Sequence, residues 1–338
     1  MSSRKPYIVA EMSGNHNGSL DRALALVDAA AEAGADAIKI QTYTADTMTV
    51  DVKHPRFQIS AGHDLWGGDY LYQLFERAHT PWDWHAPIFE RAREHGITPF
   101  SSPFDRTAVE LLEKLDAPMY KIASSEITDL PLIRLAASTG KPIIISTGMA
   151  TLREITSAVE AAQGAGATDV TVLSCTASYP APPEETNLRR IPVLAEALKL
   201  PIGLSDHTMG IGVPIAAVAY GAVLIEKHFT LDRADGGVDS AFSLDQAELK
   251  LLVTESERAW QALGTTAIGP TEAEKESLRF RRSLYVVTDV RAGDPVTEEN
   301  VRSIRPTGGL EPDLIGTVLG RTFTADAAKG TPLTWDLI

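Results

Sequence analysis

Residues 203–237, GLSDHTMGIGVPIAAVAYGAVLIEKHFTLDRADGG, decide which fold this chain can adopt. The pattern predicts a strand over 201–207, a buried apolar helix over 213–221 and a second strand over 223–229. A helix that crosses over between two strands makes them parallel neighbours in one sheet. The segment is therefore a strand–helix–strand unit, and a charged, glycine-rich loop follows it.

Both strands carry a histidine near their end, His207 and His228. Because side chains alternate along a strand, Ser205 shares a face with His207, and Glu226 shares a face with His228. One histidine at a strand end is more often a hydrogen-bonded structural residue than a metal ligand. Two in register, each with a polar neighbour, favour a divalent metal site, although no compact ligand motif such as H-E-x-x-H is present.

The rest of the chain repeats this unit. Further strands are predicted at 7–13, 37–43, 98–102, 119–123, 142–146 and 170–175, with helices between them. Eight short apolar strands alternating with helices predict an α/β fold, the TIM (β/α)8 barrel. The alternative is a doubly wound sheet, but no G-x-G-x-x-G follows the first strand.

Local signals predict where several helices begin. Ser19 is a predicted N-cap, and Thr151 with Glu154 forms a predicted capping box. A second capping box is predicted at Ser243 and Gln246. Residues 44–80 show no clear regular structure, and a loop of such length is uncommon unless it is functional.

Composition limits the class of protein. We predict a barrel over 1–264, a linker over 265–281 and a small β-rich domain over 282–338. The formal net charge of −14 argues against a nucleic-acid partner, and an anionic ligand would need locally placed lysine and arginine. The single cysteine, Cys175, excludes a disulfide framework. Neither a secretory leader nor a membrane-spanning run is evident, so we expect a cytoplasmic protein without a membrane partner.

Nearly every predicted strand ends in a polar side chain. In a TIM barrel these carboxyl ends carry the active site. The candidates are Glu11, Lys39, Gln41, Lys121, Ser124, Glu126, Ser146, Thr176, Ser205 and Glu226, with Asp239 in the loop after the last strand. Buried strands do not tolerate so many polar groups without partners, which indicates a ligand-binding cavity.

Some of these residues suggest a specific chemistry. Lys39 and Lys121 lie inside apolar strands, where surface lysines are not expected, and with nearby hydroxyls they predict a phosphate or carboxylate site. Glu126 is a general acid or base, or else only the start of the next helix. Arg305, in RPTGG, is a weak signal because most arginines are solvated.

Motifs along almost the whole chain resemble those of the sialic acid synthase family. They are AEMSGNHNGSLDRAL, AGADAIKIQTYTADTMT, AHTPWDWH, FSSPFD, YKIASSEITDLPLI, IISTGMAT, CTASYPAPPEE, LSDHTMGIG and EKHFTLDR. The small domain resembles that family's antifreeze-like (SAF, β-clip) domain through GDPVTEENVRSIRPTGGL and KGTPLTWDLI. The resemblance implies a transferase that condenses phosphoenolpyruvate and water with the open-chain aldehyde of an acetamido sugar, giving a nine-carbon 2-keto acid and phosphate.

The resemblance also implies roles for individual residues. His207 and His228 would hold a divalent metal, typically Mn²⁺, with Mg²⁺ or Co²⁺ also compatible. The metal would polarise the aldehyde as a Lewis acid and orient a water. The residues implied to bind phosphoenolpyruvate are Lys121, Ser124, Ser146 and Ser205, with Lys39 nearby. Glu126 is implied to transfer protons. The residues implied to contact the sugar or the metal-bound water are Glu11, Glu226 and Asp239. Gln41 and Thr176 complete the predicted substrate site.

The same resemblance implies a swapped homodimer, in which Arg305 reaches an amide of the sugar in the partner subunit's barrel. One position departs from the family pattern. Sialic acid synthases carry asparagine in C-T-N-x-Y-P, where this chain has Ala177 in CTASYP. The loss of that phosphoenolpyruvate contact disfavours N-acetylneuraminate synthesis, although Thr176 or Ser178 could compensate.

The segments TPWDWH and SYPAPPEE resemble the branch that makes pseudaminic acid from 2,4-diacetamido-2,4,6-trideoxy-L-altrose. Legionaminate and N-acetylneuraminate synthases of the same family are the alternatives within it. Residues 46–80 form an insertion, here called the excursion, that contains several aromatic residues. It lies either near the sugar-binding mouth or simply at the protein surface or a dimer contact.

Two other classes of function are open alternatives. A class I aldolase would form a Schiff base between pyruvate and Lys39 or Lys121 without a metal, but the two histidines in register argue against it. An ice-binding protein would need a flat, threonine-rich surface, and RPTGGL is a charged turn.

Overall fold

A computed structural model describes residues 5–60 and 65–338 of the chain. It divides into two compact units, Met1–Gly264 and Thr265–Ile338, which are described separately. Among the described residues, none of the helices has both the length and the apolar character that crossing a lipid bilayer demands.

The first unit is a closed barrel of eight parallel strands in chain order, as the sequence predicts. Its strands are β1 Tyr7–Glu11, β2 Ala37–Thr42, β3 Thr98–Pro103, β4 Tyr120–Ile122, β5 Ile143–Ser146, β6 Val170–Cys175, β7 Ile202–Asp206 and β8 Leu224–His228. Pairing between β1 and β8, which sets Glu11 opposite His228, closes the barrel. Six of the eight strands are slightly shorter than predicted, β6 has the predicted bounds and β3 ends one residue later. As a result His207 follows β7 directly and His228 is the last residue of β8.

Ten helices are described in this unit, and most of them pack around the barrel. They are α1 Leu20–Ala33, α2 Ala45–Met48, α3 Leu71–Ala78, α4 His85–Glu94, α5 Arg106–Lys114, α6 Leu130–Ala137, α7 Leu152–Gly164, α8 Arg190–Leu198, α9 Gly212–Ala219 and α10 Gln246–Ala262. Outward-facing strand residues such as Ile38, Ile145 and Ile225 are buried against helix residues in the main hydrophobic core.

A second apolar cluster fills the barrel interior, with Val9, Phe100, Ile144, Leu173 and Leu224 among its members. Gly203 leaves room for this cluster, because a Cβ there would lie 2.6 Å from Leu173 Cδ2 and 2.4 Å from Leu224 O. The same inward faces continue toward the carboxyl ends of the strands with polar residues. The apolar layer therefore becomes the support of a polar layer above it.

Two of the predicted helix starts are confirmed and one is wrong. Ser19 accepts a hydrogen bond from Arg22 N, and Thr151 forms a capping box with Glu154. The predicted box at Ser243 is wrong, because α10 is capped by Asp245 in a box with Glu248. Ser243 Oγ instead donates to Asp239 O at 2.7 Å, inside the buried core.

Residues 44–80 contain more regular structure than predicted. They include α2, a 3₁₀ turn at Pro55–Phe57 and α3, which are held together partly by Tyr72 OH donating to Asp46 Oδ1 at 3.1 Å. Within this predicted excursion, residues 61–64 lie outside the described part of the chain.

The second unit contains the antiparallel pair β9 Ser283–Val286 and β10 Val301–Ile304, and the short helix α11 Ile315–Val318. A 3₁₀ helix, Glu272–Phe280, occupies much of the segment predicted as a linker. Leu284, Phe323 and other residues form a small hydrophobic core in this unit.

A buried ion pair joins β7 and β8 on the side of the barrel that faces the helices. Lys227 Nζ lies 2.6 Å from Asp206 Oδ2, and both side chains are fully buried. Lys227 also donates to Thr208 O, and Thr208 N and Oγ1 donate to the Asp206 carboxylate at 3.1 and 3.0 Å. Burial lowers the pKa of Lys227, although Asp206 opposes that shift.

The substitution Lys227→Met should destabilise the protein by about 3–5 kcal/mol, because it leaves the Asp206 carboxylate buried without its counter-charge. Urea unfolding measures this. The double variant Asp206→Leu with Lys227→Met should be more stable than the single one, since no unpaired charge remains. The control Lys250→Met, at an exposed position of α10, should change stability by less than about 0.5 kcal/mol. A single variant as stable as that control would contradict the argument.

Candidate active site

Four buried charged side chains meet at the carboxyl end of the barrel. Lys39 Nζ lies 2.8 Å from Glu11 Oε2 and 3.5 Å from Glu226 Oε1. Lys121 Nζ lies 3.7 Å from Glu226 Oε2. Neighbouring strands bring them together, since Glu11 is opposite Lys39 in the register of β1 and β2. Ser102 and Ser205 contact this group, with 3.4 Å from Lys39 Nζ to Ser102 Oγ and 3.4 Å from Ser205 Oγ to Glu226 Oε1.

The charges compensate each other unequally. Burial acts to lower the pKa of Lys39, but Glu11 and Glu226 outweigh burial and raise it. Burial acts to raise the pKa of Glu226, but Lys121 and Lys39 outweigh burial and lower it. Burial raises the pKa of Glu11, and burial lowers the pKa of Lys121, which Glu226 only partly offsets. Lys121 is therefore a buried cation that an anionic ligand would stabilise.

The two predicted metal ligands also come together, with a distance of 5.2 Å between the ring centroids of His207 and His228. His207 Nδ1 lies 2.9 Å from Thr176 O. A carbonyl oxygen only accepts, so Nδ1 carries a proton, and in the neutral imidazole Nε2 keeps its lone pair. Burial acts to lower the pKa of His207, but Cys175 and the Thr176 carbonyl outweigh burial and raise it. His228 Nδ1 is buried, lacks a hydrogen-bond partner among the described residues and lies 3.7 Å from Asp239 Oδ2.

This donor set fits a divalent metal. Burial lowers the pKa of His228 well below its ordinary value, which keeps the imidazole neutral, as a metal ligand must be. Within residues 5–60 and 65–338, no cluster of three or more histidine, cysteine, aspartate or glutamate side chains is arranged to hold a metal ion. The two imidazoles would therefore leave coordination positions for oxygen atoms of water or substrate.

A chain of hydrogen bonds links the charged group to Asp239. Gln41 Nε2 donates to Glu11 Oε1 at 2.8 Å and to Ser13 Oγ at 3.2 Å. Ser13 Oγ in turn donates to the Asp239 carboxylate. Sequence reasoning gave Ser13 no role, and its position two residues after β1 was the available signal. Tyr179, also without a predicted role, packs against His207 with 4.3 Å between ring centroids and an angle of 47° between the ring planes.

Hydroxyl groups lie on the other side of Lys121. Ser124 Oγ accepts from Gly148 N at 3.0 Å and donates to Cys175 Sγ at 3.4 Å. Ser146 Oγ is buried without a hydrogen-bond partner in the described part of the chain. A Cβ at Gly148 would lie 2.7 Å from Ser124 Oγ and 2.9 Å from Ala177 Cβ, so only glycine fits there without a shift. Ala177, the departure from the family pattern, thus lies beside this hydroxyl group.

Glu126 ends the 3₁₀ turn Ser124–Glu126 and lines a cavity of about 440 Å³ above the charged group. Burial raises the pKa of its carboxyl group to about 7. Near neutral pH this group is therefore present in both the acid and the carboxylate form, and it can donate or accept a proton. Gln41, Ser124, His228 and Asp239 line the same cavity.

Most of the predicted site residues therefore converge on the carboxyl end of the barrel. Two do not. The hydroxyl of Thr176 donates to Glu185 O at 3.1 Å, so its carbonyl, and not its side chain, contributes to the site. Arg305 belongs to the second unit and is described apart from the barrel.

Comparisons with known proteins show which family the chain resembles. The sequence profile of the NeuB family matches residues 26–267, and that of the SAF domain matches residues 281–338. A pseudaminic acid synthase of Campylobacter jejuni is 44% identical over 98% of this chain and 96% of the relative. An N,N'-diacetyllegionaminic acid synthase of the same species is 36% identical over 95% of this chain and 96% of the relative. The crystal structure of an N-acetylneuraminic acid synthetase from Leptospira borgpetersenii superposes with a TM-score of 0.73 at 34% identity, covering 81% of this chain and 90% of that one.

The substitution Glu126→Gln should make the protein more stable than wild type at pH 8. The folded protein binds the Glu126 proton more tightly than the unfolded chain, so wild type loses stability as the pH rises from about 4.5 to about 7. A difference on the order of 1–3 kcal/mol is expected above that range, and almost none is expected below pH ~4.5. Urea unfolding at several pH values measures it.

The same variant tests the role of Glu126 in catalysis. The pH profile of wild-type kcat should have an inflection near pH 7 that is missing in Glu126→Gln. Glu160→Gln, at an exposed position of α7, is the matched control and should keep the wild-type stability and profile. If the Glu126 variant kept both as well, this carboxyl group would not titrate as described.

Proposed function

This chain belongs to the NeuB family, and we propose that it joins phosphoenolpyruvate to 2,4-diacetamido-2,4,6-trideoxy-L-altrose to make pseudaminic acid. The observation that carries the proposal is the 44% identity to a pseudaminic acid synthase over 98% of the chain. Residues expected for this chemistry lie together at the barrel mouth. In the reaction, C3 of phosphoenolpyruvate bonds to the aldehyde carbon, water adds at C2, and phosphate leaves.

Lys121 is the group best suited to bind phosphoenolpyruvate. Its ammonium group is buried and only partly neutralised by Glu226, so an anion beside it recovers a favourable interaction. The Ser124 and Ser146 hydroxyls lie on the same side of the barrel, and the Ser146 hydroxyl lacks a partner within the described residues. Ser205 and Lys39 bind the same substrate from the β7 and β2 strand ends.

Proton transfer falls to Glu126. With a pKa of about 7, its carboxyl group can protonate the oxygen of the aldehyde as the carbon–carbon bond forms, or remove a proton from the attacking water. A divalent metal held by His207 and His228, Mn²⁺ in this proposal with Mg²⁺ or Co²⁺ as alternatives, would polarise the aldehyde as a Lewis acid. Glu11, Glu226 and Asp239 orient the sugar and the attacking water.

Other substrates and mechanisms have less support. Legionaminate synthesis is the nearest alternative, but the identity to a synthase of that compound is 36%, below the 44% for the pseudaminate enzyme of the same species. N-acetylneuraminate synthesis is disfavoured by Ala177, where asparagine was expected. The aldolase hypothesis needs an uncharged lysine and no metal. Glu11 and Glu226 favour the charged form of Lys39, whereas burial lowers the pKa of Lys121. The pair of imidazoles at His207 and His228, which a Schiff-base mechanism does not require, is the argument against it. A cytoplasmic location stays a prediction.

Phosphate release from phosphoenolpyruvate tests the activity and the metal together. We expect release with the altrose sugar and Mn²⁺, little release with N-acetylmannosamine, and none after treatment with EDTA. His228→Ala should abolish release and weaken Mn²⁺ binding measured by calorimetry, because one of two imidazole ligands is lost. The exposed His54 provides the control His54→Ala, with wild-type values for both. Release that survives EDTA would overturn the metal role, and release with N-acetylmannosamine alone would overturn the substrate.

Arg305 tests the swapped homodimer. We propose that Arg305 of one subunit binds the sugar in the barrel of the other, so Arg305→Ala and His228→Ala should each inactivate the enzyme. Mixing the two inactive variants under conditions of subunit exchange should restore part of the activity, because a heterodimer contains one barrel with intact His228 served by an intact Arg305. Arg302→Ala, at a neighbouring exposed position, is the control and should stay active alone. A mixture without activity would contradict the shared site.

A further inference from the structure

The cavity above the charged group has two chemically different sides. Its floor consists of polar groups of β2 and of the segments that follow β4 and β8, among them Gln41, Glu126 and Asp239. Its other side is an apolar wall, formed by Tyr43, Met48, Leu71, Leu74, Phe75 and Phe104. The wall contains no acid, base or metal-ligand side chain, so the proposed reaction does not explain what the wall does.

The wall is a packed structure. The Tyr43 ring contacts the rings of Phe75 and Phe104 edge-to-face, at centroid distances of 5.8 and 5.3 Å. Tyr43 and Leu74 are buried, and Phe75 and Phe104 are partly exposed to the cavity. Two of these rings follow strands directly, and the third stands on α3. The wall therefore has a defined surface before any substrate binds.

None of the six side chains carries a charge. Burial raises the pKa of the Tyr43 phenol, and the Asp239 and Glu11 carboxylates add to the shift, so this hydroxyl stays neutral. A hydroxyl group of a ligand pressed against Leu71, Phe75 or Phe104 would lose its water without gaining an equivalent partner, because these side chains have no hydrogen-bonding group. A methyl group in the same place would gain from burial.

We propose that the apolar wall binds the deoxygenated C6 end of the sugar and thereby selects 6-deoxy substrates over sugars with a hydroxyl at C6. This inference rests on the proposed function, which places the reacting aldehyde, C1, at the polar floor beside Glu126 and His228. C6 is at the opposite end of the six-carbon chain from C1. The C2 acetamido group, next to C1, stays near the floor, and the methyl end extends to the wall.

Steady-state kinetics with a matched pair of sugars tests the wall. The pair is 2,4-diacetamido-2,4,6-trideoxy-L-altrose and its analogue with a C6 hydroxyl, and phosphate release is the readout. Wild type should prefer the 6-deoxy sugar by roughly 10–100-fold in kcat/KM, the range in which apolar pockets discriminate against an added hydroxyl. Phe75→Ser and Phe104→Ser should each bring this ratio close to one, mainly by lowering kcat/KM for the 6-deoxy sugar.

A control separates the wall from general damage to the fold. Phe57→Ser alters a partly exposed phenylalanine of the same excursion that does not line the cavity, and it should keep the wild-type ratio. The KM for phosphoenolpyruvate should stay within about threefold of wild type in all three variants, since the floor is unchanged. A wild-type ratio near one, or wall variants that keep the wild-type ratio, would overturn the proposal.

Further sugars distinguish failure of this inference from failure of the proposed function. Activity with the mannose-configured 2,4-diacetamido-2,4,6-trideoxy sugar in place of the altrose sugar would overturn pseudaminate synthesis. The role of the wall would then be tested by the ratio of kcat/KM for that sugar to kcat/KM for its C6-hydroxy analogue. Activity with N-acetylmannosamine, which has a C6 hydroxyl, exceeding that with both 6-deoxy sugars would overturn the wall. Inactivity with every sugar would overturn both.

Discussion

The mutual compensation of four buried charges is the constraint on which the active site depends. Glu11, Lys39, Glu226 and Lys121 occupy the carboxyl end of the barrel interior, where an isolated charge would cost several kcal/mol, on the order of the whole stability of a domain. Contacts of 2.8–3.7 Å between opposite charges reduce this cost. The compensation is incomplete at Lys121, whose pKa is lowered by burial. Binding of an anionic ligand would therefore also stabilise this end of the barrel, because an anion beside Lys121 offsets part of the free-energy cost of burying its charge.

Strand alternation explains why so much of this arrangement was predictable. A buried parallel strand has only two faces, so side chains two residues apart share a face, and polar residues that interrupt an apolar strand mark the face of the site. Lys39 and Lys121 interrupt otherwise apolar strands, so they could be identified as buried cations without knowledge of the contacts. The convergence of His207 and His228 followed from the parallel order of β7 and β8. What the pattern could not give was the pairing itself, since two lysines and two carboxylates can form ion pairs in several ways.

The features that sequence reasoning missed depend on chain segments outside the strands. Ser13 joins Gln41 to Asp239 only because the loop after β1 and the loop after β8 meet, and no local signal specifies that meeting. The start of α10 was misplaced by two residues because Ser243 has two possible partners, the helix end and the buried core, and the core contact is the one formed. The helix over residues 71–78 could have been predicted, because Leu71, Leu74, Phe75 and Ala78 follow the i, i+3, i+4, i+7 spacing of an amphipathic helix.

The floor and the wall of the cavity are under different physical constraints, and this difference bears on how substrate choice is encoded. Replacing any one of the four buried charges beneath the floor leaves its partner buried and uncompensated, so the cost falls on the fold as well as on catalysis. Replacing a wall residue such as Met48 or Phe75, which is partly exposed, changes apolar area and shape at a cost of about 1–3 kcal/mol. Substrate preference can therefore change through the wall without disturbing the reacting groups. It follows that the excursion between β2 and α4, more than the barrel itself, is the part of the chain in which specificity for the sugar should be sought.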